Sequence, residues 1–169
     1  MARKFFKILG NLKSHGGSKE FDDRHIYKDL RFVENGTNQL VKVDTALVPP
    51  ALTGYVDPNA GVTEFYFSGK PFRAALVAVR HDGILIEDYE KVGLYVAAHR
   101  FIDRCLLFGI PASFAIAALL GEGGAAIGGI AAMALIVFGI FRLLSGSLGE
   151  GIGLATTKEA RDWLATQRD

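Results

Sequence analysis

Few residues in this chain have the types and spacing that chemistry needs. His99 and Asp103 stand one helical turn apart, a spacing that puts an imidazole and a carboxylate on one helix face. A proton relay there would need an ionisable partner inside the apolar runs that follow. Neither run contains one, so a local hydrogen bond is the reading. His15 and His25 flank Asp22 and Asp23, all of them donor types for a metal, but their spacing matches no zinc pattern and reads as a solvated linker. Lys70, Pro71, Phe72 and Arg73 adjoin TEFYFS, a basic-aromatic mixture that suits single-stranded nucleic acid or phosphate and equally suits a solvated strand edge. Gly123, Gly124, Gly128 and Gly129 lack the Lys-Ser/Thr ending and the preceding strand of a phosphate loop. Cys105 is the single cysteine, which excludes an internal disulfide and argues against a thiolate zinc site. At a membrane edge it suits either S-acylation or plain apolar packing. There is no nucleophile-base-acid set, no paired metal ligands and no cofactor fingerprint. The expectation is a protein with no catalytic residues, no cofactor and no metal.

The elements around these residues carry more information. Cys105 to Leu144 holds two uncharged apolar runs, Cys105–Gly121 and Ala125–Phe141, joined by GEGG. Each has about the length of a membrane crossing, near 20 residues or slightly less. The sequence therefore predicts a transmembrane helical hairpin over 105–144, with Gly121 to Gly124 as a tight turn. Lys91, Arg100 and Arg104 precede it and Arg142 follows it, while the turn has no Lys or Arg. The positive-inside rule then places both termini in the cytoplasm, with two crossings. Arg104 and Arg142 mark the interface.

Small residues recur every four positions along both runs: Gly109, Ser113, Ala117 and Gly121 on the first, Gly124, Gly128 and Ala132 on the second. On one face they allow two backbones to approach closely in lipid, with Ser113 bonding the Gly109 carbonyl one turn back. Pro111 removes a donor from the Leu107 carbonyl and predicts a kink.

The rest is organised around the hairpin. Residues 1–14 read as a basic amphipathic helix, with Phe5, Phe6 and Leu9 directed to a membrane surface, to the protein's own domain or to a partner. Residues 15–27 read as a linker. Residues 28–104 read as a cytoplasmic β-rich domain ending in a helix. Its small antiparallel sheet has five strands, at 30–33, 40–43, 63–68, 72–80 and 84–88, with a turn at Asn35-Gly36 and a long proline-bearing loop after Thr45. The closing helix, 87–104, can run unbroken into the first crossing. Residues 145–169 read as a flexible glycine-rich segment and an amphipathic helix, with Thr156 and Glu159 as a capping box. Trp163 suits a membrane interface or a protein groove.

The fold class expected is therefore an α+β membrane protein: a small antiparallel β domain, a two-helix transmembrane hairpin, and short amphipathic helices at both termini. The net charge of +1 offers no field for nucleic acid, and none is expected as a partner. Expected partners are membrane lipids and other membrane-protein subunits, or further copies of the chain. The function expected is a non-enzymatic integral membrane subunit or assembly factor of a larger complex. The alternative is a homo-oligomeric pore or membrane effector gated by the cytoplasmic domain. Compact size and the lack of a targeting sequence point to a bacterial inner membrane.

Overall fold

Phe6, Ile8, Gly10 and Leu12 alternate with Lys7, Leu9, Asn11 and Lys13, the period of a strand. In the computed structural model Phe5–Ser14 is strand β1, with Ile8, Gly10 and Leu12 buried and the residues between them exposed. The structure describes residues 5–21, 24–119, 121–144 (backbone alone at 121–125 and 142–144) and 153–167. The strands that follow are β2 (Gly17–Phe21), β3 (Arg24–Glu34), β4 (Leu40–Val48), β5 (Thr63–Lys70), β6 (Arg73–His81) and β7 (Ile84–Glu87), with a 3-10 helix at Pro50–Tyr55. The helices are α1 (Glu90–Leu119), α2 (Gly121–Leu144) and α3 (Thr157–Ala165).

Several expectations are corrected here. The N-terminal amphipathic helix over 1–14 is a strand where it is described. Lys7 and Lys13 fit a helix's polar side as well as the outer face of a strand. The linker over 15–27 is β2 and the start of β3, paired from Gly17↔Lys28 to Phe21↔Arg24. The glycines that broke the helical pattern do not break a strand ladder. The five-stranded antiparallel sheet is a seven-stranded one, in the order β1-β5-β6-β4-β3-β2 with β7 on β6. One contact, β4 with β6 at Ala46↔Ala74 and Leu47↔Ala75, is parallel. The GEGG turn is also corrected: Gly121 to Gly124 form the first turn of α2, so the helices α1 and α2 are separated by less chain than expected. The closing helix of the β domain does run without a break into the apolar run, as the single helix α1 of 30 residues.

The sheet closes on itself. Gly10 pairs with Thr63 of β5 and with Glu34 of β3, so β1 changes partner at that residue. The closed ring is β1-β5-β6-β4-β3, with four antiparallel contacts and one parallel contact. This is the connectivity of an OB-type Greek-key barrel, an architecture that hosts many functions and fixes none. The Asn35-Gly36 turn joins β3 to β4, with Gly36 at φ +89°, and sets the register Leu30↔Val43 to Val33↔Leu40. Phe32, Phe65 and Phe67 fill the barrel, with Phe32 and Phe65 ring centres 4.9 Å apart. Phe6 stacks on Phe67 at 5.1 Å.

Ala74 to Val79 of β6 is buried without interruption. A strand reads this way when both of its faces are covered. Ala74, Leu76 and Val79 face the barrel core. On the other face Val77 lines a cleft together with Tyr89, Ala160 and Leu164, from the approach to α1 and from α3.

By its contacts the chain divides into two units, Met1–Tyr95 with Gly153–Asp169, and Val96–Ile152. Of the helices, Glu90–Leu119 is long and apolar enough to cross a membrane, while the described apolar part of α2, Ala126–Phe141, is shorter.

Candidate functional site

In the first unit the residues with the densest polar contacts lie on the outside of β1, β5 and β6. Alternation places Lys7, Glu64, Tyr66 and Arg80 there. Lys7 Nζ stands 2.7 Å from Glu64 Oε1, and Arg80 Nη1 is 3.3 Å from Glu64 Oε2. The Tyr66 hydroxyl donates to the same Glu64 carboxylate. Burial works to raise the Glu64 carboxyl, but the hydrogen bonds from Lys7 and Tyr66 and the charges of Lys7 and Arg80 outweigh it, so the group is held below the ordinary carboxylate range. Burial, and then the Glu64 carboxylate, push the Tyr66 phenol up to about 12.

Helix α3 covers this patch. Trp163 stacks on Phe5 with ring centres 4.5 Å apart and meets Tyr66 edge-on at 5.7 Å. Arg80 Nη2 donates to the Gln167 carbonyl at 2.7 Å, a cation at the carbonyl end of a helix. The capping box of Thr156 and Glu159 is formed as the sequence indicated. Tyr89 Oη donates to the Ala155 carbonyl at 2.8 Å and lies 3.2 Å from Ser68 Oγ. A cleft of about 170 Å³ between α3 and the start of α1 carries Glu87, Asp88, Glu90 and Arg161 on its walls. It is smaller than the roughly 300 Å³ at which small-molecule pockets begin.

The Glu64 cluster makes stability pH-dependent. A carboxylate whose folded pKa is depressed contributes stability above its unfolded pKa and loses it as pH falls through the folded value. Glu64→Gln is therefore expected to lower stability near pH 7 and to flatten the decline on the acid side, below about pH 4. Denaturant midpoints as a function of pH, read from Trp163 emission, measure this. An unchanged acid limb would remove Glu64 from the account.

In the second unit the small residues of the apolar runs meet. A Cβ built on Gly128 would stand 2.6 Å from the Ser113 carbonyl oxygen and 2.7 Å from Ala117 Cβ. Ser113 and Ala132 are buried, and Ser113 Oγ donates to the Gly109 carbonyl at 2.8 Å. Gly109 faces Leu135 rather than a small residue, with Leu135 Cδ1 3.0 Å from where a Cβ would sit. The surroundings of Gly121 and Gly124 and the side chain of Arg142 lie outside the described residues. Around the seam the large side chains point away: Leu107, Phe108, Ile130 and Met133 are each about two-thirds exposed or more.

The residues read as membrane-facing are divided. Phe6 is in the barrel, Phe5 and Trp163 pack on one another, and Leu9 and Arg104 are exposed. His15 and His25 both lie against the Tyr27 ring, and His25 Nε2 is 3.6 Å from Glu20. Asp22 and Asp23 lie outside the described residues. The aromatics of TEFYFS do not form an open stacking platform. Phe65 and Phe67 face the core and Tyr66 lies under Trp163, while Phe72 is exposed beside Lys70. Among the described residues no three His, Cys, Asp or Glu side chains gather as metal ligands.

Sequence reasoning missed the Glu64 cluster. A helix over residues 1–14 separates Lys7 from the sheet, and Glu64 and Arg80 lie on strands whose pairing fixes their meeting. The alternation in β1 was the available signal. No known protein family, no curated protein and no solved structure matches this chain.

Proposed function

We propose that this protein is a non-enzymatic integral membrane subunit or assembly factor, whose 105–144 hairpin crosses the bilayer twice and whose barrel stays on the cytoplasmic side. The observation that carries the reading is the sidedness of the hairpin. Small residues face inward at Gly128, Ser113 and Ala117, and large apolar side chains face outward along both helices. In water such a surface would exceed the few hundred square ångströms of apolar patch that a soluble monomer carries. In lipid it is the ordinary arrangement, with close backbones replacing a hydrophobic driving force.

The division of the chain supports an even number of crossings. The first unit is made of Met1–Tyr95 and Gly153–Asp169, so the segment between leaves and returns to one folded body. The Lys and Arg residues at both ends of the hairpin favour the cytoplasm for that body. The exposed apolar faces of the hairpin offer contact surface, which supports the role of a subunit.

Two measurements test this. A cysteine at Glu122 in a Cys105→Ser background is expected to react with an impermeant thiol reagent from outside intact cells. Labelling only after the cytoplasmic face is opened would reverse the topology. The protein is also expected to resist alkaline carbonate extraction and to purify in mild detergent with stoichiometric membrane subunits. A particle made of this chain alone, in a ring, would favour the pore instead.

A further inference from the structure

Four asparagines occur in the chain, and glycine follows one of them. Asn11 precedes Leu12, Asn38 precedes Gln39 and Asn59 precedes Ala60, whereas Asn35 precedes Gly36. The difference is chemical. The side-chain carbonyl carbon of an asparagine is open to attack by the backbone nitrogen of the next residue, and a Cβ on that residue obstructs the approach. Gly36 has no Cβ, and one added there would meet nothing within 4 Å. Asparagine is also among the thermolabile side chains.

The fold places this pair where the reaction can run. Asn35 and Gly36 are exposed to water at the tip of the β3–β4 hairpin. The tip is held by Glu34 N on the Gln39 carbonyl at 2.9 Å, by Asn38 N on the Glu34 carbonyl at 3.0 Å and by the Thr37 hydroxyl on the Glu34 carboxylate at 2.7 Å. None of these bonds uses the Gly36 N–H. At the other asparagines the attacking nitrogen is engaged or lies in a paired strand. Gln39 N donates to Thr37 Oγ1 at 3.2 Å, and Ala60 N donates to the Asp57 carbonyl at 3.0 Å. Asn11 and Leu12 lie within β1, opposite Val33 and Phe32 of β3.

We infer that Asn35 is a site of spontaneous covalent change, and that the change loosens the joint at which β1 closes the barrel. The Gly36 nitrogen gives its proton to hydroxide and forms a bond to Asn35 Cγ. The Asn35 side-chain nitrogen leaves as ammonia, and a succinimide ring spans the two residues. Water then opens the ring at either carbonyl. Opening at Cγ leaves aspartate. Opening at the main-chain carbonyl leaves isoaspartate, with the chain running on through Cγ. One water enters and one ammonia departs, with no oxidant, reductant or enzyme. Isoaspartate adds a carbon to the main chain inside the turn. Asn35 N donates to the Leu9 carbonyl at 2.8 Å, beside the pairing of Gly10 with Glu34, so this turn starts at the joint of β1 and β3. The longer chain displaces Asn38 and Gln39 from Glu34, and the register that begins at Val33↔Leu40 loses its anchor. The site lies wholly within the barrel's unit and is independent of where the apolar helices reside.

The full chain in detergent micelles, held at physiological temperature over days and sampled by peptide mass spectrometry, tests this. Trypsin releases residues 32–42, which carry both Asn35 and Asn38, so the two are compared in one peptide. Asn35 is expected to lose its amide, giving isoaspartate and aspartate together and faster as pH rises, while Asn11, Asn38 and Asn59 keep theirs. The denaturant midpoint, read from Trp163 emission, should fall in step with the isoaspartate content. Asn35→Gln lengthens the side chain past the favoured ring and should hold its midpoint through the same incubation. Freshly prepared Asn35→Asp carries the charge without the longer chain and should lose less than the aged protein. The inference is overturned if Asn38 reacts as fast as Asn35, or if aspartate forms without isoaspartate. It is overturned equally if the aged protein keeps the midpoint of Asn35→Gln, or if fresh Asn35→Asp loses as much as the aged protein.

Discussion

Replacing Gly10 with valine is expected to cost most of the stability of the barrel. Gly10 is where β1 leaves β5 and joins β3, and the backbone of β3 presses on it. A Cβ there would overlap the Val33 carbonyl, with Val33 C at 2.9 Å and Glu34 Cα at 3.0 Å. These are backbone atoms in a paired strand, so no side chain can swing aside. Overpacking of a well-filled core costs about 1–3 kcal/mol, and this position lies at the top of that range or above it. Small domains have only about 5–15 kcal/mol in hand. Gly54 is the control: nothing lies within 4 Å of its added Cβ. Gly54→Ala should change the denaturant midpoint little. Equal losses at the two positions would remove barrel closure as the cause.

The same residue shows why the fold was only partly legible. FFKILGNLKS satisfies two periods at once. Lys7 and Lys13 fit a helix's polar side, and Ile8 and Leu12 fit its apolar side as well as a strand's inner face. What decides is pairing: β1 is held by β5 and β3, neither of which it joins through a short turn, and local pattern does not contain that information. The β3–β4 hairpin was legible because its Asn-Gly turn is local. The strands from Thr63 to Glu87 were legible for the same reason, since each follows the last through a short turn. The barrel was not, because the contacts that close it, β1 with β5 and β3 and β4 with β6, are not between strands joined by a short turn.

The candidate sites divide along the same line. The approach of Gly128 to Ser113 and Ala117 involves residues that spacing alone puts on shared helix faces, since residues four apart share a face whatever the rest of the chain does, whereas Gly109 meets Leu135. Trp163 could be recognised as an anchor, but its partner could not. Both surfaces offered for it, a bilayer or a protein groove, need an amphipathic helix, and Phe5 and Tyr66 enter only once the barrel is closed. The Glu64 cluster is the extreme case. Lys7, Glu64 and Arg80 come from three strands, and no two of them are close in sequence.

Gly128→Leu is expected to separate α1 from α2, whereas the same change at Gly129 leaves them together. The two glycines are adjacent and indistinguishable by composition. A Cβ on Gly128 would meet the Ser113 carbonyl oxygen at 2.6 Å and Ala117 N at 3.0 Å, both backbone atoms of the facing helix; one on Gly129 would meet nothing within 4 Å. A leucine at Gly128 must therefore push the helices apart, at a cost of about 3 kcal/mol, while at Gly129 it joins the outward face with Ile130 and Met133. The separation also removes the dispersion contacts that close backbones make, which no hydrophobic gain replaces in an apolar solvent. Cysteines at Ala117 and Ala132, in a Cys105→Ser background, read the result by cross-linking with a short bifunctional reagent. The expected outcome is efficient cross-linking within one chain for the unsubstituted glycines and for Gly129→Leu, and its loss for Gly128→Leu. If the yield falls at Gly129 and holds at Gly128, the seam faces the other way. If the cross-links join two chains, these faces pack between copies rather than within one.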